Sequence, residues 1–543
     1  MITCRHGSSF SILAIIFLTF LAVVPQPALA ESCESLSSLK LPDTTITLAE
    51  QVKAGTFAPP SGANLAGFPG GNYKDLPVFC RVTATVKPTP DSEIKMEVWM
   101  PLAGWNGKFQ GEGNGGFAGV IIYSALAGAL SRGFATAGTD TGHAAGVTDA
   151  SWALGHPEKI IDFGHRGIHE MTVKAKAIVH AFYGKDAKHA YFGSCSDGGR
   201  EALMEAQRYP EDYDGILAGA PANYWTHLLM AGAWEAQALL KDPASYIPAS
   251  KIPALGAAVN AACDHQDGVA DGVINDPRDC RFDPSVLLCK GVDSDNCFTA
   301  PQVEALRKIY EGPKDSKGRL LYVGRAPGAE DGPAGWRQWI TGAAPGKSLQ
   351  YAFTTNFFKY MVFNDPNWDF KTFNFDTDLK TDDQKQAHNL NATDPDLKPF
   401  HNRGGKLILY HGWNDPAISP LNTINYYNSV LNTLGTNTAN GFVRLYLVPG
   451  MQHCGGGPGP NSFGQQSGST ADPQHGIYAA LEQWVEQGTA PGKIIATKYV
   501  SDLDPRQGVK FTRPLCPFPE IAKYKGSGDT NDAASFECTN EKK

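Results

Sequence analysis

A chain of 543 residues can bury a substantial core, as one large decorated domain or as two to three smaller ones. Its net charge of −8 is spread along the sequence without a Lys/Arg cluster, which argues against nucleic acid as a partner. Past the N-terminus no stretch approaches the roughly 20 consecutive apolar residues of a spanning helix, so no membrane span is expected and the mature chain should be soluble.

Ser11 to Val24 form an apolar run too short to cross a bilayer, preceded by Arg5 and followed by Ala28-Leu29-Ala30. Residues 1–30 therefore read as a secretory signal peptide, and the protein as secreted or periplasmic. Cys4 leaves with the signal, and ten of the 11 cysteines remain, an even number in an oxidising compartment. Five disulfides are the natural reading, with Cys263 to Cys280, Cys289 to Cys297 and Cys516 to Cys538 the simplest pairs by spacing.

Pro77 to Val86 and Glu93 to Met100 alternate apolar and polar residues around a Pro-Thr-Pro turn, which predicts a hairpin at a sheet edge. Lys108 to Gln110 leads into the glycine-dense Gly111 to Phe117, where backbone N–H groups can approach a ligand without side-chain obstruction. A strand over Phe134 to Thr139 precedes a helix over Gly167 to Phe182, whose apolar positions Ile168, Met171, Ile178 and Phe182 suit a crossover. A further strand ends at His189 to Phe192, and a helix covers Glu201 to Arg208. Ser196 thus falls on a tight strand-to-helix turn, the context of a nucleophile elbow, although Ser194 stands where an ideal elbow has glycine.

From about Asn223 the strand–helix alternation lapses, and helical patterns follow at Trp225 to Leu240, Pro253 to Cys263, Pro301 to Tyr310 and Leu349 to Phe363. Residues 222–402 read as a lid domain inserted into an α/β domain made of 31–221 and 403–543. Strands at Lys406 to Tyr410 and Phe442 to Val448 and a helix at Gly476 to Gln487 resume the α/β pattern, while Gly455 to Gln466 reads as a surface loop.

A serine near neutral pH needs an imidazole to take its proton and a carboxylate to orient that imidazole. Asp415 and His453, each on a loop after a strand, meet the Ser, Asp, His order of an α/β-hydrolase. His411 precedes the acid, and His143, His165 and His169 precede the serine, so these four are expected to be structural. Cys195 directly precedes Ser196 and Cys454 directly follows His453; a bond between them would fix nucleophile against base, with two unrelated structural cysteines as the alternative. The loop from Cys263 to Val273 places Asp264, Asp267 and Asp271 at intervals of three and four with Gly268 and Gly272, an oxygen-rich curve suited to structural Ca²⁺.

Cys195 to Arg200, Trp413-Asn414-Asp415, His453-Cys454 and the aspartate-rich loop together resemble the tannase and feruloyl esterase family, which includes the hydrolase of mono(2-hydroxyethyl) terephthalate. The resemblance covers nearly the whole mature chain and implies an α/β-hydrolase fold with a large inserted lid. It further implies a Ser196, Asp415, His453 triad, disulfides Cys195 to Cys454 and Cys33 to Cys80 beside the three short-range pairs, and Ca²⁺ held by Asp264, Asp267 and Asp271 with the carbonyls of Val269 and Val273. The expected reaction is two-step hydrolysis of esters of aromatic acids such as ferulate or gallate, with the N–H groups of Asp197 and of Gly115 or a neighbour on the oxyanion. Trp336, Trp339, Phe353, Phe357, Phe358 and Phe363 are the lid aromatics from which a ring-stacking contact could come, and most are expected to be lid core. An acyltransferase, or a calcium-stabilised binding protein without turnover, would use the same motifs.

Overall fold

A computed structural model describes residues 1–3, 7, 32–61, 71–466 and 472–540. The signal peptide expected over 1–30 lies almost wholly outside the described residues. The framework is a nine-stranded sheet of β1 (Thr44–Val52), β2 (Phe79–Val86), β3 (Ile94–Pro101), β4 (Lys108–Glu112), β5 (Ala135–Thr139), β6 (His189–Cys195), β7 (Gly215–Gly219), β8 (Lys406–Gly412) and β9 (Val443–Val448), in spatial order β1-β2-β3-β5-β4-β6-β7-β8-β9. Pairing is antiparallel from β1 through β3 to β5 and parallel from β5 onward.

The parallel strands are short and apolar because both of their faces are covered. One face packs on the helix Gly167–Tyr183, which contributes Ile168, Met171, Ile178 and Phe182 to a core with Phe109, Phe192, Ile216 and Leu409. The other packs on the helix Ile477–Gln487, whose Leu481 and Trp484 meet Tyr191, Leu217, Ile408 and Tyr446. This is the three-layer solution for a doubly wound sheet, and it delivers the carboxyl ends of β6, β8 and β9 to one edge.

Two expectations need correction. The β2–β3 hairpin forms, but it is not the sheet edge; β1 pairs along β2 outside it and is held by the Cys33–Cys80 disulfide. Residues 455–466 do not form a surface loop throughout, because Phe463 is buried against Tyr410 and Gly459 packs backbone to backbone on Pro449 and Gly450. A glycine-rich composition there serves close chain approach rather than solvent exposure.

Between β7 and β8 lie the helices Trp225–Leu240, Ile252–Cys263, Ala300–Glu311 and Leu349–Asn356. Leu239, Ile252, Leu255, Val303, Leu306 and Trp336 give this segment an apolar core of its own. A second cluster joins it to the sheet domain, with Trp225, Phe357 and Phe358 packed with Phe117, Phe163 and Ile418. After β9 the chain adds two separate two-stranded ribbons, Ile494–Tyr499 with Val509–Leu515 and Ile521–Tyr524 with Phe536–Thr539.

Among the described residues of the inserted segment, one buried carboxyl is left without partners on either oxygen. Asp382 is fully buried, neither carboxylate oxygen has a hydrogen-bond partner, and burial, with Asp383 nearby, pushes its carboxyl well above the usual range. The folded chain therefore holds a proton there that the unfolded chain releases above pH ~4, so this group lowers stability progressively as pH rises from that value. Asp382→Asn is expected to raise unfolding free energy by roughly 1–3 kcal/mol at pH 8 and by much less at pH 4, as read by denaturant titrations at the two pH values.

Candidate active site

Ser196 sits between β6 and the helix Asp197–Arg208 with φ 69° and ψ −122°, a strained conformation for a side chain bearing Cβ. Its N–H donates to Gly219 O at 2.9 Å, and its own carbonyl accepts the N–H groups of Gly199 and Ala222. The glycines after it are obligatory for space: a Cβ on Gly199 would lie 2.2 Å from Gly219 O, and one on Gly198 would lie 2.4 Å from Ser194 Cβ. Ser194 is thus accommodated because Gly198, and Gly113 across from it, leave room for its side chain.

The elbow helix is anchored by Arg200, which is fully buried. Its guanidinium donates to Asp197 Oδ1 at 2.6 Å and to the carbonyls of Phe163 and Gly164, and it lies over the rings of Phe163 and Trp225.

Ser196, His453 and Asp415 converge from the loops after β6, β9 and β8. Ser196 Oγ lies 2.9 Å from His453 Nε2, and His453 Nδ1 lies 2.8 Å from Asp415 Oδ2. Asp415 also accepts the backbone N–H groups of Ala417 and Ile418 on Oδ1 and a bond from His411 Nε2 at 3.1 Å. Burial by itself would raise this carboxyl, but the charge of His453 and the bonds from both histidines outweigh it and hold Asp415 well below the usual carboxylate range. His411 is fully buried, bridges Asp415 and Thr423, and does not contact Ser196. His143, His165 and His169 bond Phe117 O, Tyr209 and Asp212 respectively.

Cys195 and Cys454 are bonded, with Cα atoms 5.9 Å apart across 259 residues of chain. Cys33–Cys80, Cys263–Cys280, Cys289–Cys297 and Cys516–Cys538 form as well, so all five expected pairs are present. Across from the elbow, Glu201 accepts the Asn114 N–H at 2.8 Å, and Asn114 O accepts the Gly198 N–H at 2.9 Å. This fixes the glycine segment beside Ser196, and the N–H groups of Asp197 and Gly115 have no acceptor among the described residues.

The hydroxyl opens into a cavity of about 800 Å³. Trp339 and Phe353 are the expected aromatics that line it, together with Trp225, Leu228, Gln338 and Gln350, which no sequence signal singled out. Trp339 meets His453 edge to face at 5.0 Å. Trp336 is buried in the segment's own core, Phe357 and Phe358 in the cluster that joins it to the sheet domain, and Phe363 packs against the latter.

The aspartate-rich loop curves through Gly268 at φ 90° and Gly272 at φ 81°. Asp264 and Asp271 both accept the Val273 N–H, at 3.0 and 3.1 Å, and Arg513 from the first C-terminal ribbon donates to Asp271 Oδ2 at 2.6 Å. Two carboxylates brought onto one curve offer hard oxygen donors of the kind Ca²⁺ takes. The side chain of Asp267 lies outside the described residues.

Similarity to known proteins agrees with this arrangement. A sequence profile described as tannase and feruloyl esterase matches residues 80–539, and the chain belongs to that family. It is 43% identical to an uncharacterised esterase of Xanthomonas campestris pv. campestris over 95% of this chain and 92% of that protein. It is 36% identical to the mono(2-hydroxyethyl) terephthalate hydrolase of Piscinibacter sakaiensis over 85% of each. The crystal structure of feruloyl esterase B from Aspergillus oryzae superposes with a TM-score of 0.85 at 29% identity, covering 93% of this chain and 99% of that one. The protein is a carboxylic ester hydrolase of α/β-hydrolase fold.

Removing the Cys195–Cys454 bond with paired alanines is expected to cost roughly 2–5 kcal/mol of stability, and ester hydrolysis should fall in the variant that remains folded. The Cys516→Ala, Cys538→Ala variant should keep kcat near the starting value. Thermal melts paired with kcat measurements on both variants check the contrast.

Proposed function

We propose that the protein hydrolyses neutral esters of aromatic acids through a Ser196, His453, Asp415 triad. The observation that carries this reading is the unbroken hydrogen-bonded array from Asp415 through His453 to Ser196, opening on an aromatic-lined cavity. Ser196 Oγ attacks the ester carbonyl as its proton passes to His453 Nε2. Asp415 keeps the Nδ1–H tautomer and stabilises the imidazolium; being held ionised, it does not take the proton itself. Negative charge developing on the carbonyl oxygen is met by the N–H groups of Asp197 and Gly115, each worth on the order of 3 kcal/mol of barrier. His453 then protonates the leaving alcohol, and a water activated by the same imidazole releases the acid. The intact array favours turnover over binding alone. Ser196→Ala is expected to lower kcat by on the order of 10⁴ or more with circular dichroism unchanged.

The charge of the cavity supports a choice among aromatic acids. Beside His453, its charged lining among the described residues is Glu112 and Asp197, with no Lys or Arg. A second, free carboxylate on the acyl ring would meet no counter-charge there. Methyl ferulate should therefore exceed mono(2-hydroxyethyl) terephthalate in kcat/KM by roughly tenfold or more, about 1.4 kcal/mol. Equal turnover of the two would overturn the neutral-substrate reading while leaving the triad untouched.

Ca²⁺ held by Asp264, Asp267 and Asp271 with carbonyls of Val269 and Val273 would supply no step of this reaction; it would brace the loop between Cys263 and Cys280, which Asp271 itself ties to Arg513 of the C-terminal ribbon. A chelator is expected to lower the melting temperature by several degrees while protein still folded at 25 °C keeps its kcat. The apolar run at 11–24 and five disulfides support export from the cytoplasm. Among the described residues no helix is long and apolar enough to cross a membrane.

A further inference from the structure

The two N–H groups assigned to the oxyanion, those of Asp197 and Gly115, come from segments far apart in the chain, and one buried side chain behind them joins the two. Glu201 lies on the helix Asp197–Arg208, one turn past Asp197, and is 1% exposed. Its Oε2 accepts the Asn114 N–H at 2.8 Å, while Asn114 O accepts the Gly198 N–H at 2.9 Å. The residue before Gly115 is therefore pinned on both its N–H and its carbonyl, and both partners belong to the helix that Asp197 opens.

Contact at this point is close. A Cβ on Gly113 would lie 2.6 Å from Glu201 Oε2 and 2.8 Å from Ser194 Cβ, so the carboxyl fills the space beneath the glycine segment. Asn114 Nδ2 donates to Thr139 O at 3.1 Å and the Phe117 N–H to Val147 O at 2.8 Å. Those two bonds hold the segment to β5 and the loop beyond it, whereas the Glu201 and Gly198 bonds tie it to the elbow. Burial first, then Asp197, pushes the Glu201 carboxyl up to about 8, so near neutral pH it meets the amide mainly as a neutral acid and sets little negative charge behind the oxyanion. A side chain that only filled this space would need no acceptor, and an apolar one would be buried at less cost.

We propose that Glu201 is a positioning residue for ester hydrolysis: its hydrogen bond to Asn114 sets the spacing of the Asp197 and Gly115 N–H groups and so their grip on the oxyanion. The inference rests on the triad and oxyanion reading given above. Glu201 does not line the cavity and acts through Asn114. Groups that stabilise a transition state must sit within roughly 0.5 Å of the productive geometry. The charge these donors meet exists only in the transition state, so a displaced donor is felt in kcat rather than in KM.

The test compares two substitutions at Glu201 with one across from it. Glu201→Met keeps an unbranched side chain but removes the acceptor; its kcat for methyl ferulate is expected to fall roughly 10- to 100-fold, with KM within about twofold. The inhibition constant of phenylboronic acid, which forms a tetrahedral anionic adduct on an active serine, should rise by about the same factor. Glu201→Gln keeps a carbonyl oxygen for the Asn114 N–H and should retain kcat to within about threefold. A folded Glu201→Met with the starting kcat overturns the proposal, as does an equal loss in Glu201→Met and Glu201→Gln. Gly113→Ala presses on the same contact from the loop side and should lose kcat at constant KM; where Glu201→Met does not fold, an unchanged kcat in Gly113→Ala overturns the proposal instead. Ser196→Ala measured alongside separates the two readings. Turnover that survives in Ser196→Ala sinks the triad, whereas none there and full turnover in Glu201→Met sinks the role of Glu201 alone.

Discussion

The bond between Cys195 and Cys454 is the constraint on which the rest of the site depends. It joins two segments whose backbones both leave the ordinary regions of conformational space: Ser196 has φ 69° and Cys454 has φ 60°. Each such residue costs of order 1–3 kcal/mol and persists only where its surroundings over-determine it. On the serine side the surroundings are the β6 ladder, the Gly219 carbonyl and the buried Arg200 clamp. On the histidine side the loop after β9 is held by the Asn414 N–H on Met451 O and by the Gln452 side chain on Asp331 O, and the covalent link ties it to the elbow. The two segments meet with the imidazole 2.9 Å from the hydroxyl.

Electrostatics around this clamp follow from the number of donors each buried carboxyl finds. Asp415 collects bonds from two histidines and two backbone amides and stays ionised although fully buried. Glu201 collects one amide and, with burial and Asp197 against it, is pushed up to about 8. Asp382 collects none, Glu205 meets only another carboxyl, Asp212, and both stand well above the usual range. Buried carboxyls are thus an anion at the site, where the charge of His453 and bonds from both histidines outweigh burial, and acids behind it, where burial wins. Asp197, Glu201 and Glu205 recur every four residues along the elbow helix, so this gradient runs along one face of a single element.

The inserted segment sets what reaches the clamp. It has a core of its own, while Trp225, Phe357 and Phe358 pack it on Phe117 beside the glycine segment. Trp339 touches both the cavity and the ring of His453. The cavity these elements enclose is lined by Trp225, Trp339, Phe353, Leu228, Gln338 and Gln350, with no Lys or Arg among the described lining residues.

The linear text carried a good deal of this. Alternation of apolar strands with a 3.6-period helix placed β6, the crossover helix and the elbow, because those patterns depend only on near neighbours. Loop positions after strands singled out Asp415 and His453, and the adjacency of Cys195 and Cys454 to Ser196 and His453 flagged their link. Local pattern could not show that β1 closes the sheet edge or that Phe463 is core, since both are decided by segments distant in sequence. Nor could it show that His411 braces Asp415, or that Gln338 and Gln350 rather than most of the lid aromatics face the substrate cavity. The sequence determined which chemical groups were available and which local turns could present them. Tertiary structure alone decided that the array closes, because partners at separations of 38 residues for Asp415 and 257 for Ser196 meet only once the layers have packed.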